Sequence, residues 1–284
     1  MVWLRSLSLR HNKTLQYFDK YDYPLTKEEV KFWNSPVSPS SIPPLKLRGG
    51  KSGGVIFKDG FFFLRGRSNL IDLRKKREKY SLLKWGIAYA QATKLAKIPF
   101  IVAIFVTGSL AMSNCKKSDD IDLMIITSAN TLWIVRLIVN LMFVRQRRFP
   151  GAKIAPDKIC TNLWLDIRNL KIPVESLYHA HEVLQAKCIF DRGGIQYQFL
   201  KQNSWVREYL PNAYHRMNYE LRSMKYAKKS IIRNSNFVIR ILNGFMFGLQ
   251  YLYMKPKMTT ERIGLGYAFF HPGKVDNKSK LSIM

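Results

Sequence analysis

Hydrophobic positions along the chain fall into two periods, and each change of period marks an element. Residues 14–33, "TLQYFDKYDYPLTKEEVKFW", carry apolar side chains at helical spacing on both sides of Tyr23-Pro24-Leu25. Two short helices are predicted there, the second opened by Thr26 as N-cap with Glu29 three residues on, a capping box. "GVIFKDGFFFLRG" (54–66) places two apolar or aromatic arms around Lys58-Asp59-Gly60 and reads as a hairpin. Helix, helix, hairpin is most of a winged helix. Where its third helix would stand lies "NSPVSPSSIPPLKLRGGKSGG" (34–54), too rich in proline and glycine to be helical, so an insertion is predicted. Its "GGKS" lacks both the upstream glycine and the preceding strand of a phosphate-binding P-loop.

From Ser68 to Lys97 the pattern is that of one long helix containing "RKKREK" (74–79), four of whose cations, Arg74 to Arg77, are expected on an exposed face. Two apolar strands follow at 100–107 and 121–127, then a covering helix at 131–144 and a third strand at 158–168, a small α/β unit. From about Val174 the periodicity is helical to the end, with no internal repeat. The expected organisation is therefore a winged-helix-like module (1–67), a connecting basic helix (68–97), an α/β core (98–172) and a helical C-terminal domain (173–284).

Two apolar stretches raise the question of a membrane. "TLWIVRLIVNLMFV" (131–144) is shorter than the roughly 20 residues a span needs, and "FVIRILNGFMFGLQYLYM" (237–254) contains Arg240, Asn243 and Gln250. Both are expected to be buried helices, with a peripheral membrane contact as the less favoured alternative. Three widely spaced cysteines, Cys115, Cys160 and Cys188, exclude a fully paired disulfide framework. The opening "MVWLRSLSLR" has no continuous apolar core or small-residue cleavage site, so a reducing cytoplasm is the expected location.

The net charge of +28 exceeds what solubility requires and points to a polyanionic partner. Residues 1–100 contribute +13, residues 101–200 only +4 and residues 201–284 +11, so nucleic acid is an expected partner of the two basic flanks.

The chemistry concentrates in "FIVAIFVTGSLAMSNCKKSDDIDLMIIT" (100–127). Asp120 and Asp122 are two apart at the head of a strand, so they project from one face, where their repulsion is relieved by a divalent cation. Hard carboxylate oxygens suit Mg²⁺, which also takes substrate phosphates. Asp166, at the end of the third strand, is the candidate third carboxylate of a site for two ions, with Asn162 in the same phase. Gly108-Ser109 ends the first strand, where a glycine admits a phosphate close to the backbone. Asp119 is read as a supporting or solvated residue. His179 and His181, two apart on a helix, point too far apart for a metal pair, and Glu182 is a candidate for an acceptor pocket. No role is assigned to His271.

Gly108-Ser109, ten residues, then Asp120-Ile121-Asp122-Leu123 between apolar strands resembles the signature of the DNA polymerase beta-like nucleotidyltransferase superfamily, over roughly residues 95–168. The resemblance implies a small mixed-sheet nucleotidyltransferase core and a nucleoside triphosphate bound at Gly108 and Ser109. It implies two Mg²⁺ ions on Asp120, Asp122 and Asp166, with Asp166 helping to deprotonate the acceptor. The expected activity is transfer of a nucleoside monophosphate to an acceptor hydroxyl with release of pyrophosphate. The alternative is a nucleic-acid-binding regulator whose nucleotidyltransferase fold is not catalytic.

Overall fold

The computed structural model of the protein describes residues 9–34, 54–149, 152, 154–223, 236–259 and 261–270. The chain opens with helix α1 (Leu9–Asp19), a two-residue strand β1 (Leu25–Thr26) and helix α2 (Lys27–Phe32). The expected capping box is present: Thr26 Oγ1 accepts from the Glu29 amide at 3.2 Å, and Glu29 Oε2 accepts from the Thr26 amide at 2.8 Å. Strands β2 (Val55–Lys58) and β3 (Phe61–Leu64) form the expected hairpin, turned by Asp59 and Gly60, both at positive φ. Residues with φ > 0 at both central positions match the right-handed twist of the arms. β1 pairs with β3, completing a sheet of order β1-β3-β2. The Pro/Gly-rich stretch 35–53 lies outside the described residues, as does His271.

Helix α3 (Leu70–Leu95) runs for 26 residues. Besides Ile71, its buried positions, Leu70, Arg74, Arg77, Ser81, Lys84, Ala88, Ala92 and Leu95, recur every three or four residues and so share one face. The first half of that face is polar. Arg74 binds Glu29, Glu78 and the Pro24 carbonyl, and Arg77 binds the Tyr21 carbonyl and Asn114. This overturns the expectation of four exposed cations over 74–77: Lys75 and Lys76 are exposed, while Arg74 and Arg77 are buried because their partners lie on other elements.

The second sheet is mixed and has six strands. β4 (Ile101–Val106) leads through the short helix α4 (Gly108–Ala111) to β5 (Ile121–Thr127), then helix α5 (Leu132–Met142) and β6 (Ile159–Asp166). β4 and β5 are antiparallel, while β5 and β6 are parallel with α5 as the crossover. Beyond them come α6 (Leu177–Gln185), β7 (Lys187–Asp191), α7 (Ile195–Gln202), α8 (Val206–Tyr209) and α9 (Pro211–Ser223). The chain continues with α10 (Phe237–Met254), β8 (Arg262–Gly264) and β9 (Tyr267–Phe269). The strand order is β7-β4-β5-β6-β9-β8. The region after residue 173 is thus not purely helical, because it supplies both edges of this sheet.

Every position of β4 is buried, as a strand covered on both faces requires. On one face Ile104, Val106, Leu123, Ile125 and Trp164 pack with the end of α3 and with α5. On the other, Phe105, Met124, Ile126 and Leu165 pack with α6 to α9 and with the aromatic core of the N-terminal module. His181 of α6 joins the two, its ring stacked on Tyr17 at 3.9 Å.

The apolar segments behave differently from each other. α5 buries Leu132, Trp133, Val135 and Val139, as expected. α10 does not fit the expectation of a buried helix: of its 18 residues only Asn243 is buried. Phe237 to Lys257 is long and apolar enough to cross a membrane by length and composition, the one such stretch among the described residues.

Candidate metal and phosphate site

The loop from Gly108 to Asp120 brings the two halves of the motif together. β4 ends at Val106, and Gly108 turns the chain with a φ of +62° into α4. The turn passes so close to β5 that a Cβ on Gly108 would stand 2.5 Å from Asp122 Oδ2. Only glycine accommodates both the conformation and the approach. Ser109 Oγ lies 3.3 Å from Asp119 Oδ2, which also accepts from the Lys116 amide at 2.9 Å. Ser109 and Asp119 therefore close the loop from inside, the supporting role expected for Asp119.

α3 holds the same loop from outside. Lys84 Nζ donates to the carbonyls of Lys117 and Asp119 and to Asp157 Oδ1, at 3.3, 2.6 and 2.7 Å. Ser81 Oγ accepts from the Cys115 amide, and Arg77 reaches Asn114. The middle of α3, from Arg77 to Lys84, thus serves to fix the backbone that leads into Asp120.

Asp120, Asp122 and Cys160 each place one ligand atom within 4.8 Å of the others. Asp122 and Cys160 are direct register partners across β5 and β6. Asn162 Nδ2 donates to Asp122 Oδ1 at 2.8 Å, and Arg148 Nη1 to Asp120 Oδ2 at 2.9 Å. Burial first, then the charges of Asp120 and Glu182, push Asp122 up to about 7. Burial raises the Cys160 thiol as well, with the two aspartates adding to it. A cation between these three groups would relieve both effects, so the donors fit a divalent ion. The thiol makes the set softer than three carboxylates.

Asp166 is not part of this cluster, which corrects the expected triad. β6 starts at Ile159, level with Ile121, so Asp166 is paired with Thr127 at the opposite end of β5. Five residue rises separate these levels, about 17 Å along the sheet. A register shift between Asp122 and Met124 also changes the phase of β6, so that Leu163 rather than Asn162 partners Met124. Asp166 is fully buried and accepts from the Asn130 amide, the Arg168 amide and the Arg168 guanidinium, which makes it a corner staple.

Glu182 lines the same cleft as Asp122, and burial pushes its carboxyl up to about 7. Its neighbour His181 is turned away into the aromatic stack, and burial holds its imidazole down at about 3. The cleft measures about 1270 Å³. Gly108, Asp120, Asp122 and Cys160 form one part of its wall, Tyr17, Tyr21 and Tyr178 another, and Leu249, Tyr253 and Met254 of α10 a third. Arg148, Cys160 and the loop-fixing Lys84 were not singled out by the sequence pattern: none belongs to a local motif. No protein-family model matches the chain, and no curated protein matches it.

Proposed function

We propose that this protein is a metal-dependent nucleotidyltransferase. The observation that carries the reading is the meeting of Asp120, Asp122 and the Gly108 turn at one cleft wall. The order helix, strand, helix, hairpin with its β1-β3-β2 sheet supports a winged-helix-like module in front of the core. Cytoplasmic location remains part of the proposal.

Asp120 and Asp122 would hold a divalent cation, Mg²⁺ in the first instance, with Cys160 beside them in place of a third carboxylate. Such an ion, when bound, neutralises charge on the triphosphate. The Gly108 turn, packed on Asp122, would set the loop backbone beside the phosphates, Ser109 keeps that loop closed, and Arg148 offers a further positive charge at Asp120. An acceptor hydroxyl held near Glu182 would give its proton to that carboxylate, whose affinity for protons is matched to neutral pH. The hydroxyl oxygen then bonds to the α-phosphorus, the bond to the β-phosphate breaks, and pyrophosphate leaves. Positioning and charge neutralisation supply the catalysis.

The alternative, a non-catalytic nucleic-acid-binding regulator, has weaker support because Arg74 and Arg77 are engaged inside the protein. The deciding experiment incubates the protein with each labelled triphosphate, Mg²⁺ or Mn²⁺, and total cell extract. Transfer of label by the parent and none by the Asp120→Asn, Asp122→Asn double variant is the expected result. Equal labelling by both, or none by either, would remove the proposal.

A further inference from the structure

Helix α10 is amphipathic in the inverted sense. Its two amide side chains that bond to α5 face the protein: the buried Asn243 accepts from the Trp133 amide at 2.9 Å, and Gln250 donates to the Trp133 carbonyl at 2.8 Å and accepts from Arg136 at 2.6 Å. Phe247 adds a ring contact to Trp133 at 5.0 Å. Met246, Phe247 and Met254 pack against the core, and most of its other apolar groups face outward. Phe237, Ile241, Phe245, Leu249 and Leu252 are exposed to between 50% and 73%. They follow one another at intervals of four or three residues, so they form one continuous stripe along the helix. Such a stripe on a soluble surface marks a contact site.

The charge around the stripe selects what covers it. On α10 and the turn that follows it stand Arg240, Lys255 and Lys257, all exposed, and no Asp or Glu. A second copy of the chain would bring the same three cations against these and would carry +28 of its own. An anionic lipid surface offers the opposite charge and an apolar interior in one layer. Each Lys or Arg near such a surface contributes roughly five-fold in partitioning.

We infer that α10 is a peripheral membrane-docking helix, lying in the plane of an anionic leaflet with its outward stripe among the acyl chains. It does not span: Asn243 and Gln250 fasten it to α5 along one side, and a spanning helix would have to break those bonds and leave the groups in hydrocarbon. Because Leu249 and Tyr253 also line the cleft, docking brings the cleft to the lipid surface. The inference stands on α10 and the surrounding charge, independently of the proposed chemistry.

The test is co-sedimentation of the full chain with vesicles of phosphatidylcholine alone and of phosphatidylcholine mixed with phosphatidylglycerol. The expected result is binding to the mixed vesicles, weakened by salt and at least about ten-fold tighter than to phosphatidylcholine alone. The Ile241→Ser, Phe245→Ser, Leu252→Ser variant should keep the parent's thermal unfolding, since these side chains are exposed, and should bind at least about ten-fold more weakly. Four results would each overturn the inference. These are no vesicle binding by the parent, equal binding by the triple variant, a parent dimer that the triple variant converts to monomer, and bound protein that resists an alkaline carbonate wash.

Discussion

Gly108 and Asp122 are built against each other: the glycine has room for no side chain because the carboxylate occupies the place where its Cβ would be. Gly108→Ala would place its methyl 2.5 Å from Asp122 Oδ2 in a backbone conformation of φ +62°. A loss of about 1–3 kcal/mol in urea unfolding is expected, with divalent-ion binding lost at the same time because Asp122 must swing aside. A variant within about 0.5 kcal/mol of the parent that still binds Mn²⁺ would show that the contact is slack.

Asp122 also ties stability to pH. Its folded-state affinity for a proton is raised to about 7 against an ordinary 3.8, so between these values the folded chain holds a proton that the unfolded chain has released. Stability contributed by the neutral form is therefore full below about pH 4 and is lost as pH rises towards 7. Without metal, Asp122→Asn should be the more stable protein at pH 8, by an amount on the order of 2 kcal/mol, and equal to the parent near pH 4. Glu182→Gln should behave alike, since burial raises that carboxyl to the same value. Chemical denaturation across the pH range in EDTA measures both, and a parent curve identical to both variants would sink the assignment.

Cys160 makes the choice of ion a test of the donor set. Sulfur beside two carboxylates favours Mn²⁺ or Zn²⁺ over Mg²⁺ more than three carboxylates would. Titration calorimetry with a non-hydrolysable triphosphate should give tighter binding in Mn²⁺ than in Mg²⁺ by about ten-fold, and Cys160→Asp should narrow that ratio. An unchanged ratio would mean that the thiol is no ligand.

Arg74 and Lys75 are adjacent in sequence and opposite in consequence. Arg74→Ala strands Glu29, which also serves the α2 capping box, and should cost about 3–5 kcal/mol. Lys75→Ala and Lys76→Ala, on the exposed side, should stay within about 0.5 kcal/mol. Thermal unfolding separates the three, and a mild Arg74→Ala variant would make the buried pair dispensable.

What could be read in the sequence was local. Gly108-Ser109 and Asp120-Asp122 are joined by one short loop, so spacing alone brought them to one site, and Thr26 with Glu29 likewise announced the start of α2. The level of Asp166 is not legible, because a strand at 158–168 does not by itself reveal the parallel pairing that sets Ile159 beside Ile121, nor the register shift that changes its phase. Arg74 and Arg77 look like any basic run, since their partners Glu29, Tyr21 and Asn114 are 45, 56 and 37 residues away. The exposure of α10 is not legible, because hydropathy records how apolar a helix is and not which side of it meets the protein. β7, β8 and β9 span only three to five residues each, too short for alternation to stand out among helices.

The position of β9 bears on how the chain is made. Leu163 of β6 pairs with Phe269, more than a hundred residues further on, and the Trp133 indole donates to the Gly264 carbonyl at 3.0 Å. During synthesis every ligand of the candidate metal site has left the ribosome long before these partners exist. Until they arrive, β6 waits with an unpaired edge beside a half-covered Trp164, the kind of surface that recruits chaperones or other nascent chains. A chain interrupted between α9 and β8 would hold all of its candidate chemistry and still be the form most prone to aggregate.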